Sequence, residues 1–196
     1  MVKFLRRRQS AEEGVFADLD FRSFEEPEGG GGNGRSEAAI VEFALHKLDI
    51  LQSRDKKFRM MRSIARVPRS WVPCVFVELL SDASDEIREA AVRELAERDD
   101  YPLELLHEKL RRPPWYVRSA VLRILGTKRR PESIRPIREI IDDPNVDVKR
   151  SAAQALGAIG GPEARTLLVR LTRDDNPYVR TAAVEALDKI VELKFS

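Results

Sequence analysis

The chain has little of what disulfide-stabilised, metal-binding and membrane proteins need. Of its 196 residues one is cysteine and two are histidine, so an intrachain disulfide is excluded and a di-iron centre lacks its imidazole ligands. No apolar run approaches the roughly 18 residues of a membrane span. The opening MVKFLRRRQ lacks the apolar segment of a secretory signal. We therefore expect a cytoplasmic protein with no membrane span, no metal and no cofactor.

Groups suited to catalysis are equally scarce. Cys74 lies in an apolar run, which favours a packing role over nucleophilic chemistry. The two histidines, His46 and His107, give a single His-Glu pair, and Trp115 and Trp71 have no acid tied to them by any motif. Three glycines before a proline are typical of a helix end and not of a phosphate-binding loop. They are Gly157, Gly160 and Gly161. We expect that the protein is not an enzyme.

The chain instead contains one sequence pattern four times. DEIREAAVREL, WYVRSAVLRIL, VDVKRSAAQAL and PYVRTAAVEAL each carry a branched aliphatic residue, then a cation, and a leucine eight positions after the aliphatic. The aliphatic residues are Ile87, Val117, Val148 and Val179, and the interval from each to the next is nearly constant. A fixed period of this length predicts a stacked array of repeats.

Each repeat is predicted to be a pair of helices. The spacing of eight places the aliphatic residue and the leucine on one face of an inner helix, and a second apolar run upstream predicts an outer helix. Prolines open three outer helices, and Ser84, Asn145 and Asn176 stand where N-cap acceptors are wanted. A degenerate pair beginning at Ser36 brings the total to five. Residues 1–34 are predicted to be a flexible arm with a glycine-rich linker, and residues 35–196 the repeat array.

With DDPNVDVKRSAAQALGAIGGPEA at residues 142–164, the chain resembles the HEAT repeats, and within them the short subgroup named after phycobilisome lyases. The resemblance implies an all-α fold, a right-handed α-solenoid of about five helix pairs whose inner helices line a concave wall. Family members range from scaffolds to bilin lyases, a di-iron hydroxylase and DNA glycosylases. The resemblance therefore selects a fold and leaves the function open.

A cation follows the aliphatic residue in every repeat, at Arg88, Arg118, Lys149 and Arg180. These side chains could line a groove for an acidic ligand. Alternatively, each could bind carbonyls or an acid of the adjacent turn, such as Asp143 or Asp174, in a ladder that sets the spacing of the repeats. We favour the ladder, because the cation recurs whatever its neighbours are.

The net charge of +2 conceals an uneven distribution along the chain. Residues 11–28 carry seven acids and one cation, and among them stand four large apolar residues, which indicates a docking segment rather than an inert tail. These four are Phe16, Leu19, Phe21 and Phe24. The receiving surface could be a partner or the protein's own basic segment.

That basic segment, Arg54 to Arg69, holds seven cations and one acid around Phe58. As a helix it would present Arg59, Arg62 and Arg66 as a candidate site for weak nucleic-acid binding, although basic helices are more often only solvated. Three aromatic residues begin the inner helices and could staple the turns or serve as binding anchors. They are Trp115, Tyr116 and Tyr178.

These features predict a non-enzymatic scaffold or adaptor that binds another protein through the solenoid surface and the N-terminal segment. Two alternatives stay open. One is a nucleic-acid or anion binder working through Arg54 to Arg69, and the other is an accessory factor similar to a bilin lyase.

Overall fold

In a computed structural model, the structure describes residues 36–111 and 114–192, with side chains as far as Ile190. Within these ranges the chain forms ten α-helices, a 3-10 turn at Pro131–Ser133 and no strand. The helices are α1 (Glu37–Asp49), α2 (Arg54–Ala65), α3 (Val72–Leu79), α4 (Asp85–Glu97), α5 (Leu103–Lys109), α6 (Trp115–Lys128), α7 (Ile134–Glu139), α8 (Val146–Ile159), α9 (Gly161–Leu171) and α10 (Pro177–Glu192). The predicted all-α class and the five successive helix pairs are confirmed.

The chain divides into two compact units, Met1–Val75 and Phe76–Ser196. In the first unit, the Ser36 side chain accepts a hydrogen bond from Ala39 N at 3.4 Å, as predicted for the N-cap of α1. The Ser70 hydroxyl donates to the Glu37 carboxylate. Both helices bury an apolar stripe, which accounts for their amphipathic sequences. The buried residues of α1 and α2 are Ala44, Leu48, Met60, Met61 and Ile64.

In the second unit the even-numbered helices α6, α8 and α10 pack side by side, and α4 packs on α6. The repeated aliphatic residues at the start of these helices are all buried, as are the small residues four positions later. The repeated leucines at positions 95, 125 and 156 are fully buried, whereas Leu187 on the last described helix is half-buried. The eight-residue spacing therefore marks the core, and the internal repeats bury it most completely.

The turns before α8 and α10 repeat one hydrogen-bond pattern. The Asp143 carboxylate accepts from Asn145 N at 2.8 Å, and the Asn145 side chain in turn caps α8 by accepting from Asp147 N at 2.9 Å. Asp174 and Asn176 reproduce this arrangement one repeat later. Ser84 occupies the equivalent position before α4, but its hydroxyl contacts the Glu86 carboxylate and caps no backbone amide. The prediction of side-chain caps is correct for the two asparagines and wrong for the serine.

Gly157 corrects the prediction that it helps to end a helix. It lies inside α8, where a Cβ atom would come within 2.7 Å of Ala186 Cβ on α10. Gly126 makes the equivalent approach from α6, since its Cβ would lie 3.1 Å from Ala155 Cα. Both glycines allow inner helices to touch backbone to backbone. Gly160 ends α8 with a φ of 74°, as the sequence predicts.

Candidate functional site

Two of the four repeated cations join their repeat to the turn of the next. The Arg118 guanidinium donates to both oxygens of Asp143, from Nε at 2.7 Å and from Nη2 at 3.1 Å. One repeat later, Lys149 Nζ lies 2.6 Å from Asp174 Oδ2. The carboxylates are the same groups that hold the Asx turns before α8 and α10, so each cation fixes the start of the following inner helix.

The remaining two cations use the turn before their own helix. Arg88 donates to the carbonyl oxygens of Asp82 at 2.7 Å and Ala83 at 3.1 Å, and Arg180 donates to those of Asp174 and Asp175. In the repeat register, the position of Asp143 and Asp174 is taken in the turn after α5 by Arg112, which is not an acid. The ion pair of the later repeats therefore cannot form there.

All four cations thus bind a turn, which confirms the ladder and argues against a row of cations awaiting an acidic ligand. Burial raises the pKa of Asp174, but the hydrogen bonds from Lys149 Nζ and Asn176 N outweigh burial, and the net pKa lies below its ordinary value. The carboxylate is therefore held charged as a structural anchor. The ladder thus fixes where the inner helices begin and does not itself form a binding site.

The basic segment around α2 is exposed over part of its length. Arg62 and Arg66 are exposed, as are Arg54 and Lys56 at its start, whereas Arg59 is half-buried. The predicted trio is therefore divided, because Arg59 lies next to the buried pair Met60 and Met61 and the other two face solvent.

The three aromatic residues also divide into two kinds. Trp115 is 44% exposed and Tyr178 is 68% exposed, each at the start of its inner helix. Tyr116 is half-buried, and the Arg88 guanidinium stacks on its ring at 4.5 Å from the centroid. Trp115 meets the Tyr116 ring edge to face at 6.0 Å. Tyr116 therefore acts as a staple between repeats, while Trp115 and Tyr178 present ring surface to solvent.

A groove of about 340 Å³ lies between the C-terminal halves of α6 and α8. It exists because Gly126 lets the two helices approach, which leaves longer side chains to form the walls. Arg123, Thr127, Arg129, Ser151 and Gln154 supply its polar lining. Among the residues that the structure describes, no acidic side chain lines it. The sequence pattern did not predict this groove.

Arg129 is the residue of this groove with an unusual backbone. It caps α6 with a φ of 52° and a ψ of 35°, the left-handed region, which costs a non-glycine residue about 1–2 kcal/mol. The next repeat places Gly160 at the equivalent position, with a φ of 74°. The replacement of glycine by arginine in the repeat alignment was the sequence signal that could have pointed to this position.

Arg123 and Arg129 differ in how they are held. Arg123 donates to both oxygens of Glu89 on α4, at 2.5 and 2.9 Å, and the hydrogen bond from Arg123 lowers the pKa of that carboxyl. Arg129 forms no ion pair with any residue in the described part of the chain. Both guanidiniums are exposed, and the groove therefore contains one that is held by an ion pair and one that is not.

The groups considered for catalysis are dispersed. His107 Nε2 lies 3.0 Å from Ser133 Oγ, and burial lowers the pKa of the imidazole. Cys74 is half-buried on α3. No group of three or more histidine, cysteine and acidic residues gathers as a metal site among the described residues. None of the helices in residues 36–111 and 114–192 is both long and apolar enough to cross a bilayer.

The predicted docking residues of the arm lie outside the described residues. These are Phe16, Leu19, Phe21 and Phe24.

Comparison with known proteins gives a family and a fold. Residues 103–188 match the family described as HEAT repeats. No curated protein matches the chain. The complex of CpcE and CpcF of phycocyanin lyase from Nostoc sp. PCC7120 is similar at 21% identity and a TM-score of 0.54, over 86% of this chain and 69% of that chain. A designed armadillo repeat protein in complex with the peptide (KR)4 is 20% identical with a TM-score of 0.45, over 79% of this chain and 83% of that chain.

The predicted resemblance is thereby confirmed. The family match covers α5 to α9 and most of α10, and the likeness to CpcE and CpcF, which at this identity shows the fold alone, agrees with it. The α-solenoid class follows from the same two findings. The repeat register, the helix pairs and the family match together show that residues 103–188 are similar to HEAT repeats.

Proposed function

We propose that this protein is a non-enzymatic scaffold or adaptor that binds another protein through the inner helices of its second unit. The observation that supports this most is the exposure of Trp115 and Tyr178 at the first turns of α6 and α10. Large aromatic side chains lose little conformational entropy on binding and bury much apolar area, so they are frequent anchors of protein interfaces. Tyr116 contributes by holding Trp115 in place.

The N-terminal segment is the second contact in this proposal. Its four apolar residues, Phe16 to Phe24, are separated from α1 by the glycine-rich stretch PEGGGGNG, which would let the segment reach a partner bound elsewhere. Two linked contacts strengthen binding by raising the effective concentration of the second once the first has formed.

The test uses a partner captured from native extract, identified, and then purified. Replacing both Trp115 and Tyr178 with alanine should weaken its binding, measured by calorimetry, by about tenfold or more, because truncating an interface anchor typically costs over 1 kcal/mol. Val169→Ala, at another exposed apolar position, is the control and should change the affinity less than about twofold. Equal affinity for the double variant and the control would contradict the proposal.

Nucleic-acid binding through α2 is the second candidate, supported by the exposure of Arg62 and Arg66. Reversing both to glutamate should abolish any binding of a labelled DNA duplex, and wild-type binding should fall steeply with added salt because phosphate contacts release counterions. Binding that survives both changes would exclude α2 as the site. The bilin-lyase-like alternative stays a prediction, which visible absorbance of the purified protein tests.

A further inference from the structure

We infer that the groove between α6 and α8 binds an extended acidic segment of a protein partner, with Arg129 as its carboxylate contact. This inference deepens the proposed function by naming the chemistry of the partner. The groove has two guanidinium groups, the amide of Gln154 and two hydroxyl groups in its lining, and no acid. Its charge therefore complements a carboxylate and repels a cationic peptide.

The neighbouring positions in the repeat register make this groove distinctive. One repeat later, between α8 and α10, the positions of Arg123, Arg129 and Gln154 are taken by Gln154, Gly160 and Glu185. That interface therefore loses both guanidiniums and gains an acid. One repeat earlier, between α4 and α6, the same positions hold Arg93, Asp99 and Arg123. Of these three interfaces, the α6–α8 groove is therefore the one with two cations and no acid at these positions.

The backbone of Arg129 is the second observation. A glycine would take this conformation without steric cost, and the next repeat has Gly160 at the equivalent position, also at a positive φ. Arginine at this position destabilises the helix end, and its guanidinium forms no ion pair within the described chain that would offset the cost. Backbone strain that brings no internal contact is typical of positions kept for binding.

The remaining polar groups of the groove suit an extended backbone. Gln154 is exposed on α8 and its amide can both donate to and accept from a peptide unit. Thr127 Oγ1 donates to Arg123 O at 3.1 Å, which leaves its acceptor capacity. Arg123 is paired with Glu89 on the α4 side, which offsets its charge, so Arg129 supplies the positive charge that makes the direct contact.

The experiment selects ligands from a library of random dodecapeptides displayed on phage, with the full chain as target. The selected peptides should be enriched in aspartate and glutamate. Gln154→Glu places an acid where the next repeat has Glu185, and Arg129→Gly restores the residue of the next repeat. Each should weaken binding of a selected peptide, measured by fluorescence anisotropy, by about tenfold. Arg129→Gly should at the same time raise the Tm, which separates lost binding from lost folding.

The control is Arg165→Gln, which removes an exposed cation from α9 outside the groove and should change affinity less than about twofold. Three results would overturn the inference: no peptide selected, selected peptides that are basic or uncharged, or acidic peptides whose binding is unaffected by Gln154→Glu. If the captured partner loses affinity for the Trp115 and Tyr178 double variant but keeps its affinity for Gln154→Glu, the proposed function stands and this groove is rejected as its site.

Discussion

Gly157 leaves little room for a larger side chain. Its missing side chain lets α8 touch α10, and an added Cβ would lie 2.7 Å from Ala186 Cβ and 3.0 Å from Ala186 Cα. Alanine is favoured over glycine in a helix by about 1 kcal/mol. Overpacking that forces two helices apart costs about 1–3 kcal/mol, so the steric term should prevail. We expect Gly157→Ala to lower the free energy of unfolding, measured by urea denaturation.

Gly126→Ala is the matched comparison, because its Cβ would meet Ala155 Cα at 3.1 Å and needs a smaller shift. There the helix propensity and the steric cost are of similar size, and we expect a net change below about 1 kcal/mol. Stabilisation by Gly157→Ala equal to or larger than that by Gly126→Ala would mean that the inner helices are not packed at this distance.

His107 should make stability depend on pH. Its folded pKa lies below the ordinary value of about 6.5, because burial disfavours the imidazolium, with Arg111 acting in the same direction and Glu104 and Glu132 opposing. The unfolded chain therefore binds a proton more readily. The contribution to stability is complete above about pH 6.5 and is lost as the pH falls through the folded pKa.

The measurement is urea denaturation at a series of pH values for the wild type and His107→Gln. Since other groups also titrate, the informative quantity is the difference in the free energy of unfolding between the two proteins. It should be constant above about pH 6.5 and shift against the wild type as the pH falls below it. A profile for His107→Gln parallel to that of the wild type would rule out this group as the origin.

Helices and their turns are coupled chiefly through the ladder. The side chains of Arg118 and Asp143 are 13% and 6% exposed, whereas those of Arg170 and Asp142, also an ion pair between repeats, are 61% and 72% exposed. Removing one partner of a buried pair leaves an uncompensated charge and costs about 3 kcal/mol, while an exposed pair contributes less than about 1 kcal/mol. Arg118→Ala should therefore destabilise the chain far more than Arg170→Ala in denaturation measurements.

Added salt sharpens this comparison, since screening weakens exposed pairs much more than buried ones. The Arg170 variant should approach the wild type at about 1 M NaCl, and the Arg118 variant should keep its deficit. Similar losses for both variants at low salt would indicate that the ladder does not hold the turns in place.

The whole second unit should tolerate the loss of one repeat. Deleting residues 131–161 joins Arg130 to Pro162, in the same register as Arg130 and Pro131 in the full chain. Arg118 would then meet Asp174 as Lys149 does, and Gly126 would meet Ala186 as Gly157 does. Because repeats contact only their neighbours, we expect a shorter, helical protein with a lower Tm and a cooperative transition.

Circular dichroism and calorimetry of the purified deletion variant provide the measurement. A deletion of about half a period, residues 131–146, is the control, because it joins unlike parts of two repeats and should fail to fold. Aggregation of the in-register variant under mild conditions would contradict a modular array.

Much of the helix-pair architecture could be predicted from the repeat period and from the spacing of residues within each repeat. The buried aliphatic residues, the caps at Asn145 and Asn176 and the pairing of Arg118 with Asp143 follow from local rules that act over a few residues or over one repeat. The same rules misassigned Gly157, because three nearby glycines resemble a helix end and the reason for the first of them lies at Ala186 on α10, in the next repeat.

The sequence alone determined the helix pairs and their register, since helix periodicity, turn residues and a fixed step are properties of the chain itself. Only the tertiary structure decided which repeated features are internal supports and which face solvent. Tyr116 and Tyr178 share a register, yet one is covered by Arg88 and the other is exposed. Arg123 and Arg129 became one groove only when Gly126 brought α6 against α8. The exposure of a side chain and its distance from other side chains depend on which residues of the neighbouring repeats pack against it, and no single position in the sequence specifies them.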